Sequence, residues 1–204
     1  MRLSVREIFY SLQGEGGRMG EASIFIRLAG CNMNCPFCDT DFSGKVIMNQ
    51  EEILTVIKNY PCRWIVWTGG EPCLQLNYFV TGFFKRRGYL QAIESNGTRK
   101  LPPGLDYTVI SPKINIPSKT GKVMKLSQYA KLNPEVDEIR LPISEKQIPP
   151  DIALLPVSKK YFLSPIFTES DTETRHNIDW CTKYIQQNPQ WQLSVQVHKL
   201  IGID

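Results

Sequence analysis

Ser23-Ile24-Phe25-Ile26-Arg27-Leu28-Ala29-Gly30-Cys31-Asn32-Met33-Asn34-Cys35-Pro36-Phe37-Cys38 reads as a strand that runs directly into a loop of three cysteines. The cysteines are separated by three and then two residues. Iron–sulfur clusters are held by cysteine thiolates, and four is the usual number. Three thiolates in one short loop can ligate three irons of a [4Fe–4S] cluster. With no obvious fourth, one iron stays open for a small molecule to bind and react. Two plainer readings stand beside this one. A structural zinc site pairs C-x2-C with a second, distant ligand pair, and free cysteines also pack as small hydrophobes.

Outward from this loop, apolar runs alternate with helical patterns. Asn49-Gln50-Glu51-Glu52 is a helix start, a capping side chain followed by first-turn acids. Ile53, Val56, Ile57 and Tyr60 then line one face, and Pro61 ends the helix. Trp64-Ile65-Val66-Trp67 is a buried strand ending at Thr68-Gly69-Gly70, and a helix follows through Phe79, Phe83 and Phe84 to Gly88. Further strands are expected at 90–94, 107–110, 138–141, 161–163 and 193–197. A last helix is expected between Asp171 and Gln187, with Ile178, Cys181, Tyr184 and Ile185 as its apolar face. Residues 112–125 form a polar loop. Strand–helix alternation implies an α/β fold with parallel strands and helices packed outside. Too few helices are visible for a full eight-unit barrel of about 250 residues. A partial barrel of about six strands fits better, and chemistry in such sheets gathers at the carboxyl ends of the strands.

The chain has 204 residues, enough for one large core, and a single domain over residues 1–204 is expected. No apolar run reaches eighteen residues and the N-terminus lacks the apolar segment of a signal peptide, so a cytosolic protein without membrane contact is expected. That compartment keeps thiols reduced and favours metal or catalytic cysteines. Cys62, Cys73 and Cys181 follow no ligand pattern and are expected to pack in the core. The net charge of +4 comes without a basic run longer than Lys85-Arg86-Arg87, so no nucleic-acid partner is expected. It suits an anionic small substrate.

Thr68-Gly69-Gly70-Glu71-Pro72 follows a strand, and its glycines allow close backbone approach to a ligand, or simply a tight turn. Gln13-Gly14-Glu15-Gly16-Gly17 is either a glycine-rich turn or a set of donors and acceptors for a flat, guanine-like heterocycle. Arg27 interrupts an apolar strand; it either pairs with an acid or binds a substrate carboxylate bidentately. Ser111-Pro112-Lys113 ends another strand. His198 is a lone histidine near the end of the chain, a position that by itself says little.

Taken together, the three-cysteine loop and Gly69-Gly70-Glu71-Pro72 resemble the radical S-adenosylmethionine (SAM) superfamily, in which SAM chelates the open iron. The leading Gln13-Gly14-Glu15-Gly16, Cys38-Asp39-Thr40, Ser111-Pro112-Lys113 and the closing Gln196-Val197-His198-Lys199 narrow the resemblance to the 7-carboxy-7-deazaguanine synthases of the 7-deazapurine (queuosine) pathway. The resemblance covers essentially the whole chain. It implies a trimmed radical SAM core, a partial (βα)6-like TIM barrel. It implies a [4Fe–4S] cluster on Cys31, Cys35 and Cys38, and SAM contacts from Phe37, Cys38, Asp39, Gly70, Ser111, Pro112 and Lys113. Leu12, Gln13, Gly14 and Glu15 would frame the pterin, Arg27 would bind its carboxylate, and Thr68, His198 and the terminal Asp204 would complete the pocket. Thr40 would bind Mg2+ together with substrate oxygens. The implied reaction turns 6-carboxy-5,6,7,8-tetrahydropterin into 7-carboxy-7-deazaguanine with loss of ammonia, SAM acting as a cofactor. A flavodoxin or ferredoxin-type reductant and a homodimer are implied as well. Two departures from the family pattern are Ser95 in Glu94-Ser95-Asn96-Gly97-Thr98, for a usual threonine, and Ser164-Pro165, where many members have Gln-Pro.

Two competing readings make different demands. A radical SAM activase, which installs a glycyl radical on a partner protein, uses the same cysteine spacing but needs no closed heterocycle pocket. A zinc-binding module needs neither that pocket nor the Gly69-Gly70 turn.

Overall fold

The computed structural model describes residues 1–38, 40 and 44–203. Among the described residues nine strands form one sheet, in the order β3-β1-β2-β4-β5-β6-β7-β8-β9. They are β1 (Arg2–Leu12), β2 (Ala22–Leu28), β3 (Val46–Asn49), β4 (Trp64–Gly69), β5 (Leu90–Ser95), β6 (Tyr107–Ile110), β7 (Glu135–Ile143), β8 (Val157–Pro165) and β9 (Gln192–Leu193). β1 runs antiparallel to both β2 and β3. From β2 through β4, β5, β6, β7 and β8 every pairing is parallel, which gives the expected six-strand core.

The α-helices among the described residues are α1 (Gln50–Ile57), α2 (Tyr78–Lys85), α3 (Leu126–Leu132), α4 (Asp171–Gln187) and α5 (Val197–Ile201). α1 opens on a capping box: Asn49 accepts from the Glu51 and Glu52 amides while Glu52 accepts from the Asn49 amide. α2 is capped likewise by Asn77. Its buried face is Val80 and Phe84, whereas Phe79 is 73% exposed. α4 has the expected bounds and buries Cys181. The barrel is trimmed where crossovers lack an α-helix: β5 leads to β6 through a loop, and β7 to β8 through a single 3-10 turn at Ile152–Leu154. The strand expected at 193–197 is corrected to the two-residue β9, with α5 starting at Val197.

Side chains alternate across the parallel strands. One set, including Ile24, Ile26, Ile65, Trp67 and Ile93, packs outward against α1 and α2. A second outer core joins Ile139, Leu141 and Leu163 to Tyr129 of α3 and Cys181 of α4. The opposite faces of β2, β4 and β5 meet at Phe25, Val66 and Ala92, which fill the barrel interior beneath the site. Cys62 and Cys73 pack at the edge of the first core, as expected. No helix among the described residues is long and apolar enough to cross a membrane.

Candidate active site

The three-cysteine loop leaves the carboxyl end of β2, where the turn after β4 holds it. Gly70 N donates to Leu28 O at 2.8 Å, and Glu71 N to Gly30 O at 2.9 Å. Gly69 has φ +101°, a conformation that favours glycine, and a Cβ on Gly70 would overlap the Gly30 carbonyl. The glycines therefore serve first to let two backbones touch. Glu71 is fully buried and accepts from the Cys73 amide, the Ser95 hydroxyl and the Asn96 amide, tying β4 to β5. Asn96 in turn donates to the Asn32 side-chain oxygen at 2.9 Å, and the Asn32 side-chain amide donates to Thr98 at 2.8 Å. Glu94-Ser95-Asn96-Gly97-Thr98 thus braces the cysteine loop.

Cys31, Cys35 and Cys38 are free thiols lining one cavity of about 230 Å3. Burial pushes the Cys31 and Cys35 thiols up; the Lys113 ammonium works in the other direction on Cys35. No three His, Cys, Asp or Glu side chains among the described residues are gathered so as to hold a metal ion. Three thiols around one cavity fit a four-iron cluster, in which each protein thiolate would meet a different iron. Phe37, Gly70, Ser111 and Lys113 line the same cavity. Lys113 Nζ donates to Ser111 Oγ at 2.9 Å and lies 5.6 Å from the Phe37 ring centroid. Burial pulls the Lys113 ammonium below its ordinary pKa, against the opposing pull of Cys35 and Glu15. Pro112 lines an adjoining cavity with Phe37 and Lys113. Asp39 lies outside the described residues.

A second lobe of about 120 Å3 adjoins the first, sharing Glu15, Thr40, Thr68, Glu94 and Gln196 with it. Leu12, Gln13, Gly14, Arg27 and His198 line it too. Asp204 lies outside the described residues. Gln13 donates to Glu94 at 2.9 Å, and Thr68 donates to Glu94 at 3.3 Å. Arg27 pairs with Glu7 at 2.9 Å on the partly exposed rim and sits over the Phe9 ring. An exposed pair of this kind holds its members weakly.

Beneath these groups lies a residue that sequence reasoning missed. Arg140, on β7, is buried and bridges three carboxylates: Glu138 at 2.8 Å, Glu94 at 3.1 Å and Glu15 at 3.4 Å. Burial alone would raise the Glu94 carboxyl. Arg140, with hydrogen bonds from Gln13 and Thr68, more than offsets this and holds it below the usual range. Burial disfavours the Arg140 cation, but its three carboxylates raise its pKa well above the ordinary value. Ser164 and Gln196 also donate to Glu15, at 3.3 Å and 3.0 Å. Glu94 and Ser164 were visible in the sequence as strand ends. Arg140 carried the same signal as Arg27, a charge inside an apolar strand.

The wall is closed by the two ends of the chain. Val197 N donates to Gly14 O at 3.0 Å, and a Cβ on Gly14 would run into the His198 ring. Gly16 N donates to Ser194 Oγ and Gly17 N to Glu138, both at 2.9 Å.

A parallel partial barrel with three free thiols at the carboxyl end of its first parallel strand defines a radical SAM protein, and residues 25–118 match the Radical SAM superfamily. The chain is 36% identical to a 7-carboxy-7-deazaguanine synthase of Bacteroides thetaiotaomicron over the full length of both proteins. It is 34% identical to one of Haemophilus influenzae, covering 98% of this chain and 94% of that one. The crystal structure of QueE from Escherichia coli superposes with a TM-score of 0.75 at 28% identity, covering 97% and 95% of the two chains. The chain belongs to the 7-carboxy-7-deazaguanine synthase family.

Proposed function

We propose that this chain converts 6-carboxy-5,6,7,8-tetrahydropterin to 7-carboxy-7-deazaguanine by a radical ring contraction with loss of ammonia. The observation that carries this reading is the continuity of the two lobes. The cysteine cavity opens directly onto a polar, heterocycle-sized recess lined by Gln13, Glu15, Arg27, Thr68 and His198. An activase acting on a protein chain has no use for such a recess.

A [4Fe–4S] cluster and SAM, once bound, would supply radical hydrogen-abstraction chemistry, and the pocket would aim it at the pterin C6. Cys31, Cys35 and Cys38 hold the cluster. Phe37, Cys38, Asp39, Gly70, Ser111, Pro112 and Lys113 hold SAM. Glu15 offers its side-chain oxygens to the N–H edge of the pterin. Leu12, Gln13 and Gly14 frame the ring, and Thr68 faces it from the floor of both lobes. Arg27 exchanges Glu7 for the substrate carboxylate, a fork-to-fork pairing that a guanidinium suits. Thr40, at the junction of the lobes, offers a hydroxyl to Mg2+, which takes few protein ligands and keeps its other positions for water and substrate oxygens. His198 and the carboxylate of Asp204 close the far side. Gripping the substrate at both ends restricts which hydrogen is within reach. The chain works as a single domain in the cytoplasm, as a homodimer.

The test is an anaerobic assay with reconstituted protein, SAM, reductant, Mg2+ and the carboxytetrahydropterin, with mass detection of product. Product that disappears in Cys31→Ala, Cys35→Ala and Cys38→Ala variants is expected. SAM cleavage without product would reject the substrate and keep the superfamily.

A further inference from the structure

We propose that the basic recess on the outer face of the cysteine loop is the docking surface for an acidic one-electron carrier protein. This rests on the cysteine loop holding a redox cluster, not on which substrate fills the second lobe.

Between Asp106 and Glu135 the sequence has five lysines and no acidic residue. Lys113 points into the active-site cavity. Lys119, Lys122 and Lys131 instead join Arg99 around a separate recess of about 410 Å3. All four are exposed, and none forms an ion pair among the described residues. Several basic side chains elsewhere are matched: Lys85 with Asp106, Arg87 with Glu51, Lys159 with Asp137 and Arg175 with Asp179. A cluster of unmatched cations steers an acidic partner and orients it.

The position of the recess suits electron delivery. Asn32 and Met33 form its inner wall and follow Cys31 directly in the chain. Met33 N donates to Cys31 Sγ at 3.4 Å. Met33 also pairs with Ser118, and Lys119 N donates to Asn32 O at 2.8 Å, so the lysine-bearing loop lies directly on the cluster loop. Only one residue layer separates the recess from the Cys31 sulfur. Met33 is the one lining residue the recess shares with the cysteine cavity, and the substrate lobe shares none, so a carrier seated here meets the cluster loop from its outer side. In the transfer itself the carrier loses one electron and the cysteine-held group gains one; no bond or proton changes hands. Complexes of this kind need little buried area. A polyanion such as RNA is the rival occupant, but no aromatic side chain lines the recess to stack a base.

The test compares the wild-type holoenzyme with Lys119→Glu/Lys122→Glu and, on the opposite wall, Arg99→Glu/Lys131→Glu. The probes are a purified acidic flavodoxin, an acidic ferredoxin, dithionite and a single-stranded RNA oligonucleotide. For at least one carrier, each double variant is expected to raise the Kd about tenfold or more and to slow cluster bleaching likewise. Reduction by dithionite should be unchanged. High salt should bring the wild type down to the variants' level. Unaltered carrier affinity in both variants would overturn the proposal. So would a wild type that binds neither carrier at low salt, or one from which RNA displaces them at lower concentration. Binding and bleaching do not need the pterin, so failure to form the deazaguanine would strike the proposed function alone.

Discussion

The Gln196 side-chain amide donates to Glu15 Oε1 at 3.0 Å, a bond spanning nearly the whole chain. The same carboxylate receives Arg140 and Ser164 through its other oxygen. Glu15 is therefore fixed by three groups from β7, β8 and the segment before α5, and stands preorganised at the junction of the two lobes. Glu15→Gln keeps the shape and removes the charge. A hydrogen bond to a charged group contributes about 1.5–3 kcal/mol. We expect kcat/KM for the pterin to fall roughly 10- to 100-fold, with SAM binding little changed. Steady-state kinetics paired with a SAM-binding titration measures both.

Arg140→Met strands Glu138, which is fully buried, together with Glu94. Breaking a buried pair from one side costs about 3–5 kcal/mol. The pH dependence should change sign. In the wild type the folded-state pKa of Glu94 is depressed, so its contribution is present above the unfolded carboxyl pKa and is lost as pH falls through the folded value. In the variant, desolvation without the Arg140 cation raises the Glu94 carboxyl, so acidification towards pH 5 stabilises it. Urea unfolding at pH 5 and pH 7 reads the gain in the variant, and unfolding below the ordinary carboxyl value of 4.5 reads the loss in the wild type. A variant less stable at pH 5 than at pH 7 would contradict the compensating role of Arg140.

Gly70→Ala should damage cluster loading before it damages the fold. The added methyl meets the Gly30 carbonyl, and backbone cannot swing aside as a side chain can. The cysteine loop must shift, while both outer cores lie elsewhere. We expect reduced iron per chain after reconstitution, with a native far-ultraviolet spectrum. Full iron content would show that the contact is not decisive.

Arg27→Ala should spare stability, because the exposed Arg27–Glu7 pair contributes about 0–1 kcal/mol. It should raise KM for the pterin far more than it slows SAM cleavage. Equal losses of both would remove Arg27 from the carboxylate site.

Much of this architecture was legible in the sequence because local and global preferences agree. α4 shows its capping Ser170, its first-turn acids and its apolar face plainly. β1 was not legible. Its register shifts between Val5 and Glu7, so Leu3 and Val5 face the outer core while Phe9 packs against the barrel interior. A bulge of that kind breaks the period-two pattern on which strand reading depends. The segment after Leu193 misled in the opposite way. Its alternation of Val195 and Val197 with polar residues reads as strand. Yet Ser194 and Gln196 bond the first loop, and Val197 turns into α5. Tertiary partners overrode a local pattern. The basic recess was legible only in part: Lys119, Lys122 and Lys131 come from one stretch without acids, but only the fold brings Arg99 and the Asn32–Met33 wall to them.

The Val197–Gly14 bond also sets an order of events during synthesis. The cysteine loop and its bracing turn, complete by Thr98, leave the ribosome long before Gln196 does. The heterocycle recess therefore lacks a wall until the segment from Ser194 to His198 has folded back onto the first loop, whereas the cysteine loop and its brace need nothing from that segment.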